Sequence, residues 1–144
     1  RGKRLEEHGV RRVLRFSEAV GNAEFIADNG LKAAYHDSCV FGRRYGVYDE
    51  PRKALRNAGA QIVEMERTRE KARCCGFPLI LREPLTAGPI AQKVADSAIS
   101  AGAEKLITSA CPGCYYAMKR TSGIAVEDIS VYLSKKIMKR KETI

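Results

Sequence analysis

Five cysteines constrain this chain more than anything else in it. Cys39 is followed after 34 residues by the adjacent pair Cys74-Cys75, and after 35 more by Cys111 and Cys114. The pattern is C-x34-CC-x35-C-x2-C, with no cysteine left over. Thiolates gathered in this way bind soft metals or iron–sulfur clusters. Five is one more than a structural zinc site takes, and an odd count cannot be consumed by disulfides. A fold that uses them together must bring separate stretches of chain to one place.

Hydrophobic periodicity shows how it can do so. Residues 1–29 read as helical, with Val10, Val13, Leu14, Ala19 and Val20 at near-helical spacing among charges, up to Asn29-Gly30. From Leu31 the pattern changes. Leu31 to Tyr35 reads as a buried strand, ended by His36-Asp37-Ser38-Cys39. Asp49 as N-cap and Pro51 in the first turn open a helix, and Gly59 stops it. Gln61 to Met65 is a second strand, and the charged run from Glu66 to Arg73 leads to Cys74-Cys75-Gly76. Pro89 opens a long helix with Ile90, Ala91, Val94, Ala95, Ala98 and Ile99 on its apolar face, closed by Gly102. Lys105 to Ser109 is a third strand, running into Cys111-Pro112-Gly113-Cys114, with a helix from Tyr115. Ile124 to Val126 is a fourth strand. Asp128 begins a last helix with Ile129, Leu133 and Ile137 inward.

Strands alternating with helices of this length predict an α/β fold: right-handed βαβ units forming a mainly parallel sheet with flanking helices. Cys39 and Cys111 fall just past strand carboxyl ends, and the Cys74-Cys75 loop follows the remaining strand. Parallel strands collect such loops on one edge of the sheet, where α/β domains bind ligands. CxxC opening a helix is a common chelating element, and Gly76 lets the paired cysteines turn toward one site. A free cysteine is often only a small buried apolar residue. Five on one edge favour a shared site instead.

The rest of the composition narrows the setting. No apolar run reaches the length of a membrane span, and the basic start RGKRLEEHG has no apolar region behind it, so no signal peptide is expected. Ligand-like cysteines without a secretion signal predict a reducing, cytoplasmic location, with membrane association only through a partner. The first residue is Arg, which predicts a fragment or processed chain. The net charge is +9, concentrated at the two ends. Because those cations are split between the ends and carry no nucleic-acid motif, they read as solvated helix faces, and no nucleic acid is expected as partner.

The residues around the cysteines resemble a known family. YHDSCVFGRRYGVYDEPRKAL, VEMERTREKARCCG and ITSACPGC are similar to the three blocks of the cysteine-rich (CCG) domain found in the B and D subunits of heterodisulfide reductase. That domain also occurs in the iron–sulfur subunits of glycerol-3-phosphate, glycolate and lactate dehydrogenases. The EMER run and the VEDIS ending are most like the C-terminal domain of the D subunit. The resemblance covers roughly residues 31–138, so residues 1–30 are expected to be a linker or extension and 31–144 the redox domain. It implies that Cys39, Cys74, Cys75, Cys111 and Cys114 hold a noncubane [4Fe-4S] cluster that cleaves a disulfide or relays electrons. It also implies an oxidoreductase fragment that needs other domains or subunits carrying cubane clusters, flavin or haem, and a disulfide or quinone acceptor. The alternative is a structural zinc site on four of the five cysteines, serving assembly.

Two departures stand out. The family usually continues CCG with further glycines, whereas Phe77-Pro78 follow here, and Ser38 stands where Pro is frequent. His36 is a candidate proton donor or cluster-tuning group, set against a purely structural role at the strand end. Arg43 and Arg44 are candidates for balancing a cluster's charge, and Tyr45, Tyr48, Tyr115 and Tyr116 for lining the site.

Overall fold

The computed structural model describes residues 30–136. Strands β1 (Lys32–His36), β2 (Gln61–Ile62), β3 (Lys105–Thr108) and β4 (Ala125–Asp128) form one sheet in the order β2-β1-β3-β4, every pair parallel. Helices α1 (Asp49–Asn57), α2 (Pro84–Ser100), α3 (Pro112–Met118) and α4 (Ile129–Ser134) connect and cover it. In β1, Ala33 and Tyr35 face Leu55 of α1 and Leu133 of α4, while Ala34 faces Val94 of α2 and Met118 of α3. The period-two alternation of a strand buried on both sides therefore separates two apolar cores.

The chain steps outward from β1 to β2, then crosses back over β1 to reach β3 and β4. Right-handed crossovers in opposite directions put their helices on opposite faces, which is where α1 and α2 lie. The winding reverses between β1 and β3, whose last residues, His36 and Thr108, are in register. Loops leaving neighbouring strands in opposite directions at such a point open a crevice.

The α/β expectation holds, with changes in detail. The long helix starts at Pro84, not Pro89, because a proline at the first helical position gives up an N–H that has no partner there anyway. Pro89 then lies inside the helix, where it removes the bond to the carbonyl of Leu85. That turn is solvent-facing: Leu85 is 91% exposed. Ile99, expected inward, is exposed. Strand β2 has two residues rather than five. The amide of Val63 still bonds to the carbonyl of Ala33, but Glu64 is drawn off to Arg52. Tyr48 takes the N-cap position of α1, with Asp49 in its first turn. Helix α3 begins at Pro112, three residues before the expected Tyr115, and β4 runs to Asp128. Asp128 caps α4 as expected, accepting from the amide of Ser130 at 2.9 Å. The helix expected over residues 1–29, and Ile137, lie outside the described residues.

Candidate metal centre

Each cysteine is placed by the end of a regular element. Cys39 begins a π-helical turn, Cys39–Arg44, directly after β1. Ser38 caps that turn, its Oγ accepting from the amide of Phe41 at 3.1 Å. Cys74 and Cys75 end the connection from β2. Gly76 follows with φ +79, and a Cβ there would stand 3.0 Å from the carbonyl oxygen of Ala87 and 3.2 Å from Ile90 Cβ. Only glycine takes both that conformation and that close approach to α2. Its amide lies 3.4 Å from Cys74 Sγ. Cys111 is the N-cap residue of α3, and Cys114 lies buried inside the first turn.

Four of these thiols meet. The titration of Cys75 is set by Cys114 and Cys74, and that of Cys114 by Cys75 and Cys111. The neighbouring Cys114 thiol lowers the pKa of Cys75 to about 6, while Cys114, beside Cys75 and buried, is raised. The pair therefore shares one proton and titrates as a unit. Cys39 stands exposed on the turn that follows β1. Among the described residues, no three His, Cys, Asp or Glu side chains form a ready-made single-ion site. An open cleft of about 600 Å³ borders Pro112 on the β4 side, but no described cysteine lines it.

Phe77 departs from the glycine-rich loop, and the structure shows where its ring goes. It lies over the CxxC turn, edge-on to Tyr116 with centroids 6.1 Å apart. A Cβ on Gly113 would come within 2.6 Å of Phe77 Cδ1. Gly113→Ala should displace the ring and lose that aromatic contact, costing about 1 kcal/mol. In urea denaturation, Phe77→Ala should cancel the penalty when the two changes are combined. Additive losses would show that the two residues do not share this space.

His36 is 1% exposed. It lies two residues after Ala34 on β1, so it points to the same sheet face as Cys75 and Cys114. Burial lowers its pKa to about 4, with Asp37 opposing and Arg43 adding to the shift. At neutral pH it is an uncharged imidazole. A depressed pKa contributes stability that is complete above about pH 6.5 and lost as the pH falls toward 4. The metal-free, reduced chain should lose about 3 kcal/mol from this source across that window. His36→Gln should show a correspondingly flatter fall in urea midpoint between about pH 7 and pH 4.5, and equal slopes would refute this account.

Arg43 bonds through Nη1 to the carbonyl of Ala72 at 3.1 Å, and Arg44 lies over Tyr45 at 5.7 Å. Arg52 is a residue that the sequence motifs do not single out. It is fully buried in α1, paired with Asp37 and Glu64. One signal for it is present in the sequence: Arg52 lies one turn before Leu55 on the inward face, and a cation there needs a buried acid.

Together these features define a doubly wound α/β domain with a thiol-rich site where its winding reverses. Residues 33–119 match the family described as the cysteine-rich domain, CCG, and the chain belongs to that family. It is similar to the EtfAB:quinone oxidoreductase of Syntrophomonas wolfei, 35% identical over 122 residues, covering 78% of this chain and 17% of that protein. It is also similar to the D subunit of dihydromethanophenazine:CoB–CoM heterodisulfide reductase from Methanosarcina mazei, 35% identical over 112 residues, 67% of this chain and 27% of that one. A third relative is the probable iron-sulfur-binding oxidoreductase FadF of Bacillus subtilis, 41% identical over 83 residues, 56% of this chain and 12% of that one. The chain thus spans less than a third of each of these relatives. Among the described residues, no helix is long and apolar enough to cross a membrane.

Proposed function

We propose that residues 31–144 are the iron–sulfur redox domain of a heterodisulfide reductase-like oxidoreductase, with Cys39, Cys74, Cys75, Cys111 and Cys114 as ligands of a noncubane [4Fe-4S] cluster. The observation that carries this is the meeting of Cys74-Cys75 with Cys111 and Cys114 beside the β1/β3 reversal, with the Cys39 turn leaving the same crevice. The donor set fits such a group. It is all thiol, one member already has a lowered pKa, and the glycine turn at Gly76 holds the paired cysteines against α2. When bound, the cluster supplies one-electron chemistry and a soft iron site for sulfur. The buried Cys75 and Cys114 would hold it from the protein side and the exposed Cys39 and Cys74 from the solvent side, where an acceptor would approach. His36, buried and uncharged at neutral pH, lies on the same sheet face at the end of β1.

Electrons would come from other domains or subunits and pass to a disulfide or a quinone; the named activities of the relatives support both. The domain would work in the cytoplasm, at a membrane only through such a partner. Anaerobic reconstitution with iron and sulfide tests the reading, followed by metal and sulfide assays and EPR spectra. About four irons and four sulfides per chain are expected, the content of the cluster type. A reduced, folded chain that takes up no iron would overturn it. So would stoichiometric zinc without sulfide in a colourless protein, the signature of the four-thiol zinc site.

A further inference from the structure

The guanidinium of Arg52 is fully committed. Nε donates to Glu64 Oε1 at 2.7 Å, Nη1 to Asp37 Oδ1 and the Tyr48 carbonyl at 2.8 Å each, and Nη2 to Asp37 Oδ2 at 2.8 Å and Glu64 Oε2 at 3.0 Å. All five of its N–H groups are used. Its flat face lies 5.2 Å from the Tyr35 ring. Arg52 has no exposed side-chain surface and Asp37 has 1%, whereas Glu64 keeps 43%.

The positions of these residues in the chain give the arrangement its meaning. Asp37 lies two residues before Cys39. Glu64 lies on the connection that runs from β2 to Cys74. Asp37 Oδ2 also accepts from the amide of Arg69 at 2.7 Å, on that same connection. Arg69 has φ 57, the only non-glycine residue with positive φ among those described. Backbone in that region costs energy and persists only where its surroundings hold it. A carboxylate fixed from behind by Arg52 is such a hold. Farther along, Arg43 of the Cys39 turn bonds to the carbonyl of Ala72, two residues before Cys74. The Cys39 turn and the Cys74-Cys75 loop are thus tied together twice, with Arg52 at the buried end of the tie.

We propose that Arg52 is a positioning residue for the cysteine site, setting Cys39 relative to Cys74 and Cys75 through Asp37, Glu64 and the strained backbone at Arg69. The inference rests on the proposed cluster, and it adds a residue that touches no thiol. Arg52 acts through geometry, because both guanidinium edges are needed to reach Asp37 and Glu64 at once. It also acts through charge, because it neutralises a buried carboxylate two residues from a ligand.

Two variants test this. Arg52→Lys keeps the charge without the two-edged geometry; Arg52→Met removes both. Leu133→Ala, in the core on the sheet face away from Cys75 and Cys114, serves as a control for simple loss of stability. After anaerobic reconstitution, both Arg52 variants should hold iron about tenfold more weakly, the scale of losing an outer support of a metal ligand. The loaded fraction of each should give a shifted EPR spectrum, and that of Arg52→Met a more negative reduction potential as well. Leu133→Ala should load less protein but give the native spectrum and potential. A native spectrum and native iron affinity in both Arg52 variants would overturn the proposal.

If the unaltered chain takes up no iron, the cluster reading fails, and the positioning claim is decided on the metal-free chain by hydrogen exchange. Protection lost together in 37–45 and 64–76, with α2 and β3 unchanged, sustains the claim. Unchanged or uniformly lost protection removes it.

Discussion

Arg52→Met lowers the folding free energy of the metal-free chain by about 3–5 kcal/mol, the cost of breaking a buried ion pair from one side. The size follows from what remains behind. Glu64 is 43% exposed and turns back to water. Asp37 is 1% exposed and has no such escape. Its remaining bond, from the Arg69 amide, does not balance a full buried charge. Small domains have about 5–15 kcal/mol in total, so this single change brings the chain close to unfolding. Urea denaturation under reducing conditions measures it. Asp37→Asn in the same chain should recover part of the loss, because the amide oxygen still accepts from Arg69 while the charge is gone. A midpoint unchanged by Arg52→Met would mean that the pair contributes nothing net. Failure of Asp37→Asn to recover any stability would place the loss in packing rather than charge.

That hub also marks the limit of what the sequence discloses. The parallel α/β architecture is legible because its signals are local: strands of apolar residues, proline and glycine at helix ends, and one βα unit between successive cysteine blocks. The convergence of Cys74-Cys75 with Cys111 and Cys114 follows from that topology. Arg52 is not legible in the same way. Arginine in a charged helix reads as a solvated residue by default, and the acids that bury it lie 15 and 12 residues away in sequence. The start of α2 is hidden for a related reason: Pro84 and Pro89 are both helix-opening residues locally, and nothing in the residues around either says which one opens the helix. Strand β2 is shorter than its apolar run because Glu64 is taken by Arg52, a tertiary demand with no local trace. The fate of Phe77 is likewise tertiary, since its ring uses space that only Gly113 leaves open.

Serine at Cys75 or Cys114 abolishes stable metal binding, and serine at Cys39 separates the two readings of the site. Cys75 and Cys114 are buried, come from different loops and already shift each other's titration. A serine hydroxyl in either place is a poor ligand for soft metals and does not ionise near neutrality, so affinity should fall by more than about 100-fold, beyond the loss of any outer support. Iron and sulfide per chain after desalting measure this directly. Cys39 comes from a third loop and stands exposed at the start of its turn. If all five thiols hold one cluster, Cys39→Ser retains part of the iron and alters the EPR spectrum, because one iron exchanges its ligand. If the four grouped thiols hold zinc, Cys39→Ser leaves both the metal content and its retention against a chelator unchanged. The exposed cysteine on the first turn is therefore the one whose loss decides what the others bind.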